Sequence, residues 1–171
     1  MGLEFVFAAW QPNQLPDSPP HLNGGFYGHV FVADFISNKG RLQVAELPQS
    51  AKNKNISAYA GFHDGEVAKI ALINQELWLE SSSGSRATNV SLNLQALGDN
   101  VPDQVKVEKL WGPSGDAMNN ISWAGLDWPF NETTGGGGTP VRVRNDTEYL
   151  SVHNGSVKVP LDKTSAALIT W

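Results

Sequence analysis

From residue 55 to residue 78 the chain reads NISAYAGFHDGEVAKIALINQELW. Two runs of β-branched, aromatic and small apolar residues flank Asp64-Gly65. That dipeptide suits a type I′ turn, whose two central residues both need positive φ. The pattern predicts a long hairpin in which His63 faces Glu66, Phe62 faces Val67, Tyr59 faces Ile70 and Ser57 faces Leu72. The return strand, VAKIALIN, is apolar on both faces apart from Lys69, so it belongs inside a packed sheet rather than at its edge.

The remaining rhythm divides the chain near Gly40. Residues 3–10, LEFVFAAW, form a nearly continuous apolar run, the pattern of a strand buried on both faces. No parallel partner for it is evident elsewhere. Residues 11–20 carry prolines at 12, 16, 19 and 20, which predicts an extended loop. Residues 23–38 predict a helix with Asn23 as N-cap and Gly40 past its end. Tyr27, Phe31 and Phe35 fall on one stripe, and Gly28, Val32 and Ile36 on another. A helix apolar nearly all round implies burial from more than one side. Its glycines at 24, 25 and 28 each cost up to about 1 kcal/mol relative to alanine, which packing must offset.

After Gly40 the period becomes two. Residues 41–47 alternate, with Leu42, Val44 and Leu47 marking a half-buried strand. Further strands are expected at 89–94, 104–111, 141–144, 148–153, 156–159 and 165–170, with Asn154-Gly155 as a second type I′ signal. Residues 80–88 read as a loop and Gly135 to Gly138 as a flexible tract. The sum is a mainly β chain: an antiparallel β-sandwich of about eight strands over residues 41–171, preceded by a strand, a loop and a helix over residues 1–40.

Composition narrows the functions. At 171 residues, 40% hydrophobic and 17% charged, the chain is globular and long enough for one substantial core. A net charge of -5 disfavours a nucleic-acid partner. No apolar run approaches a membrane span. The absence of cysteine excludes disulfides, thiolate metal sites and cysteine nucleophiles. Asn55, Asn89, Asn120, Asn131, Asn145 and Asn154 each begin an Asn-X-Ser/Thr acceptor, and six together point to a secreted, extracellular glycoprotein. The opening MGLEFVFAAW has no basic stretch and carries Glu4, so it is not a signal peptide, and the chain is expected to be truncated at its N-terminus.

Candidate chemistry is sparse. Glu4, Asp34, Glu46, Asp64, Glu66, Glu76, Glu80, Asp116, Asp127 and Glu148 are scattered, with no cleft to shift a carboxyl pKa. His21, His29, His63 and His153 lack metal-ligand spacing, so neither metal nor cofactor is expected. The glycine run lacks the lysine of a phosphate loop. Trp111, Trp123 and Trp128 form either a flat sugar-stacking platform or core packing.

Several segments, taken in order, carry a resemblance: FAAWQP, GFYGHVFVADFI, LQVAELP, ISAYAGFHDGEVAKIALIN, ISWAGLDW and the closing SAALITW. The chain resembles the C-terminal region of secreted glycoside hydrolases of family 79, the β-glucuronidase and heparanase-like enzymes. The resemblance implies that residues 3–10 are the last strand, and 23–38 the last helix, of a (β/α)8 barrel whose other parts lie elsewhere. It implies a supporting, non-catalytic β-sandwich from residue 41 onward, with the barrel as its partner. The family's two catalytic carboxylates come from earlier barrel strands, so no catalytic residue is assigned and no activity is expected of this chain alone. Trp10 and Gln11 end the barrel-like strand and are candidate remnants of the substrate cleft, because C-terminal strand ends line the active face of such barrels. Packing at the barrel–sandwich junction is the alternative for Trp10. A free-standing carbohydrate-binding module using Trp123 and Trp128, with glucuronide-containing polysaccharide as ligand, is the alternative function.

Overall fold

The computed structural model describes residues 9–11, 20–36, 42–48 and 54–171. Residues 3–8 of the predicted opening strand and most of the proline loop lie outside the described residues. What remains of that strand is β1 (Trp10–Gln11), which pairs antiparallel with β2 (His21–Leu22). Helix α1 (Gly24–Ile36) follows at once, and the Asn23 carbonyl accepts the Phe26 amide at 2.9 Å. Then come β3 (Gln43–Glu46), β4 (Ile56–His63), β5 (Glu66–Asn74), β6 (Asn89–Asn93), a 3-10 helix at Gln95–Asn100 and β7 (Gln104–Trp111). Five two-residue strands follow: β8 (Ser122–Trp123), β9 (Leu126–Asp127), β10 (Phe130–Asn131), β11 (Gly136–Gly137) and β12 (Val141–Arg142). The chain closes with β13 (Thr147–Ser151), β14 (Ser156–Pro160) and β15 (Ser165–Thr170).

The large antiparallel sheet has the order β12-β9-β8-β7-β15-β5-β4-β3, and β13 pairs with β7 beside that path. β5 is interior, as its two apolar faces require. A small sheet of β14 and β6 covers one face. Between them lies one core, with Val105, Val107, Val159, Ala167 and Ile169 fully buried. Helix α1 covers the other face through Tyr27, Phe31 and Phe35, against Ala71, Trp123, Ala166 and Leu168. The order of layers is therefore small sheet, large sheet, helix.

The hairpin forms as predicted at its tip, with Asp64 at φ 52° and Gly65 at φ 85°. Its register holds through Phe62↔Val67 and then shifts by one, to Gly61↔Lys69. Ala68 is the extra residue of a β-bulge, so Tyr59 faces Ala71 and Ser57 faces Ile73, not Ile70 and Leu72. Gly61, at this irregularity, has the Leu42 side chain packed over it. A Cβ there would stand 2.9 Å from Leu42 Cδ2.

Two other expectations need correction. β3 is exposed at all four residues, Val44 to 50%, because it is the sheet's edge; only the flanking Leu42 and Leu47 are half-buried. The glycine run 135–138 is not a free tract. β11 pairs with β10, and the Gly138 amide donates to the Pro129 carbonyl at 2.7 Å. Gly137 lies against the Phe26 ring, where a Cβ would be 3.1 Å from Cζ and the ring would have to shift to admit it.

Candidate functional site

The chain concentrates its aromatic and buried polar contacts where α1 meets the large sheet. Positions 27, 31 and 35 are spaced i, i+4, i+8, so one stripe of the helix faces the sheet. The Phe31 and Trp123 rings meet edge-on at 5.2 Å. Phe26, Tyr27 and Trp128 form a second group with centroids 5.5 to 6.0 Å apart.

Polar contacts pin the helix down along its length. Tyr27 donates its hydroxyl proton to the Asp127 carboxylate. Trp123 Nε1 donates to the Asp34 carboxylate. Lys69 Nζ donates to the Asp34 backbone carbonyl at 2.6 Å. Burial first, and the Asp127 hydrogen bond second, push the Tyr27 hydroxyl well above the usual tyrosine range.

The opposite face of α1 is different. Val32 is 48% and Ile36 53% exposed, and His29 and Ala33 are exposed beside them. The stripe expected to be buried from a second side is thus the one the chain leaves open.

The candidate residues do not converge. Trp123 is 2% exposed and acts as a clamp between helix and sheet, not as a surface platform. Trp128 is half-buried against Phe26 and Tyr27. A sugar face on Trp123 would require α1 to leave the sheet. Trp111 carries the Arg144 guanidinium 3.5 Å above its ring, with Arg86 at 5.5 Å. Trp10 and Gln11 sit in β1 beside the start of α1, where the Asn23 amide donates to the Ala9 carbonyl at 2.9 Å. Asn55, Asn89, Asn120, Asn145 and Asn154 are exposed. Asn131 is half-buried, and its side-chain oxygen accepts the Thr133 amide at 2.9 Å.

One buried acid escaped the reading of the sequence. Asp146 is 5% exposed and accepts from Ser122 Oγ at 2.8 Å and from Arg144 Nε at 3.1 Å. Its only sequence signal is the arginine two positions earlier. Its partners fill it, so it fixes the corner before β13 rather than offering a free base. Among the described residues no group of His, Asp or Glu could hold a metal ion. No helix among them is long and apolar enough to cross a membrane.

Comparison with known proteins agrees with this geometry. Residues 58–168 match the family model described as the glycosyl hydrolase family 79 C-terminal beta domain. The chain is 27% identical over 174 aligned residues to a beta-glucuronidase of Neurospora crassa, covering 86% of this chain. It spans 30% of that relative's length. Among solved structures it is similar in fold to a 4-O-alpha-L-rhamnosyl-beta-D-glucuronidase from Fusarium oxysporum, with a TM-score of 0.57 and 20% identity, over 75% of this chain and 26% of that one.

Proposed function

This chain belongs to the glycosyl hydrolase family 79 C-terminal beta domain family, and from that premise we propose that it is the non-catalytic domain of a β-glucuronidase-like glycoside hydrolase. On this reading residues 1–40 belong to the end of a catalytic (β/α)8 barrel, as its last strand, loop and helix, and residues 41–171 form the sandwich that supports it. The observation that carries this reading is the two-sided helix. α1 buries Tyr27, Phe31 and Phe35 on its own sheet and turns Val32 and Ile36 outward. A second apolar face on a clamped helix calls for a second packing partner. The relative's length beyond what this chain spans supplies room for one.

Catalysis by the parent enzyme needs two free carboxyl groups across a cleft. The acids nearest the helix, Asp34 and Asp127, are instead engaged as hydrogen-bond acceptors. On this reading the chain is silent alone, and glucuronide substrates belong to the whole enzyme. Purified chain incubated with an aryl β-glucuronide is expected to release no aglycone. Turnover that co-purifies with the chain, and is lost with a buried-core variant, would overturn the reading.

Secretion fits the same role. Five of the six acceptor asparagines are exposed, so expression through a eukaryotic secretory route should add glycans that peptide-N-glycosidase removes. An unchanged mass after that treatment would count against it.

A further inference from the structure

The turn between β13 and β14 carries chemistry that the proposed function does not use. The sequence holds two Asn-Gly pairs, Asn23-Gly24 and Asn154-Gly155. Glycine leaves the amide nitrogen after an asparagine sterically open, so that nitrogen can attack the side-chain carbonyl carbon. The two pairs sit in opposite settings. Asn23 is half-buried; its amide donates to the Ala9 carbonyl and its carbonyl accepts the Phe26 amide, both at 2.9 Å. Turning the peptide between Asn23 and Gly24 would break the bond that starts α1. Asn154 is exposed, at φ 51°, and Gly155 follows at φ 70°, as a type I′ turn requires. His153 and Ser156 close the turn with bonds of 2.8 and 2.9 Å. Among the described residues the Gly155 amide has no hydrogen-bond partner, and the Asn154 carbonyl accepts only Gln95 Nε2, at 3.2 Å.

We infer that Asn154, where it carries no glycan, converts itself to isoaspartate and aspartate within the folded turn. The Gly155 nitrogen bonds to Asn154 Cγ. Its proton leaves with the side-chain nitrogen as ammonia, and a five-membered succinimide closes. Water then adds at one of the two ring carbonyls. Opening at Cγ gives aspartate; opening at the main-chain carbonyl gives isoaspartate, with the backbone rerouted through the side chain. In the ring, Cβ and the Gly155 nitrogen are eclipsed, which in an L residue sets ψ to about −120°, the value at the first central residue of a type II′ turn. Types I′ and II′ share a φ of about +60° at that residue and differ by rotation of the central peptide. The hairpin therefore reaches the ring geometry by turning one peptide. It loses only the Gln95 contact, and glycine accepts the new φ. A glycan on Asn154 Nδ2 replaces the leaving ammonia by a bulky glycosylamine and blocks the step. Only that protection rests on the proposed secretion. Isoaspartate lengthens a turn built for two residues, so it should loosen the bond from the Leu94 amide to the Gly155 carbonyl, 2.7 Å long in the intact turn.

The test is peptide mapping of the full chain made in bacteria, without glycans, and incubated at mildly alkaline pH in native buffer and in urea. Isoaspartate is scored by fragment masses and by labelling with isoaspartyl methyltransferase. In native buffer Asn154 is expected to convert about tenfold or more faster than Asn23, and in urea the two should convert at similar rates. Gln95→Ala frees the Asn154 carbonyl and should speed Asn154 by about threefold, leaving Asn23 unchanged. Equal rates at the two sites in native buffer would overturn the inference, because conversion would then pass through the unfolded chain. So would an Asn154 that stays intact while Asn23 converts. In chain secreted from a eukaryotic host, glycopeptides carrying Asn154 should contain no isoaspartate. Isoaspartate in those glycopeptides would overturn the protection. A secreted chain with Asn154 unglycosylated and converting would count against the proposed secretion and leave this chemistry standing.

Discussion

At the scale of single residues, the turn between β8 and β9 is the most constrained point. Ala124 and Gly125 both have positive φ, at 51° and 77°. The Gly125 carbonyl accepts the Val143 and Arg144 amides at 2.9 and 3.2 Å. A Cβ on Gly125 would fall on the Arg144 carbonyl, far inside contact distance. Gly125→Ala should therefore cost about 3 kcal/mol or more, read as a shifted urea midpoint. Tyr27 gives a pH signature. Its folded-state pKa lies above the unfolded value, so the hydroxyl contributes fully below about pH 10, and that contribution is lost as pH rises beyond it. Stability should fall from about pH 10 upward, and Tyr27→Phe should flatten that fall. Equal slopes in the two proteins would show that Tyr27 is not its source.

At the scale of elements, α1 has two faces with opposite expectations. Phe31→Ala removes a ring packed on Trp123 and should destabilise the chain by about 3 to 5 kcal/mol. Val32→Glu with Ile36→Glu touches only the open face. It should leave the unfolding midpoint within about 0.5 kcal/mol while reducing binding of a hydrophobic dye. A large loss of stability would show that these side chains are already packed. The helix was legible because its apolar stripes repeat at helical spacing and Asn23 marks its start. Strand β7 was legible to the residue because it alternates between turn residues, and β15 because its continuous apolar run follows the polar Asp162-Lys163-Thr164. The bulge at Ala68 was not legible: it breaks the period of two only in three dimensions, where Leu42 lies over Gly61. Nor was the pairing of the glycine run, because glycine carries no pattern and the Phe26 ring it lies against comes from across the gap. Trp123 could be narrowed only to platform or core, since an indole serves equally well in either until its neighbours are placed.

At the scale of the whole molecule, three layers share two cores, and the outermost layer is half covered. That asymmetry supports the proposal that the chain is part of a larger enzyme. Three of the described acids, Asp34, Asp127 and Asp146, accept hydrogen bonds that hold the layers and the corner before β13 together. The most direct measurement is side-chain footprinting of Val32 and Ile36. The isolated chain would be compared with the same chain fused behind the unmatched part of the Neurospora crassa relative. The account predicts both residues labelled in the isolated chain and shielded in the folded fusion, while exposed Tyr149 on the sandwich is labelled in both. Equal labelling of Val32 and Ile36 in the two proteins would contradict it.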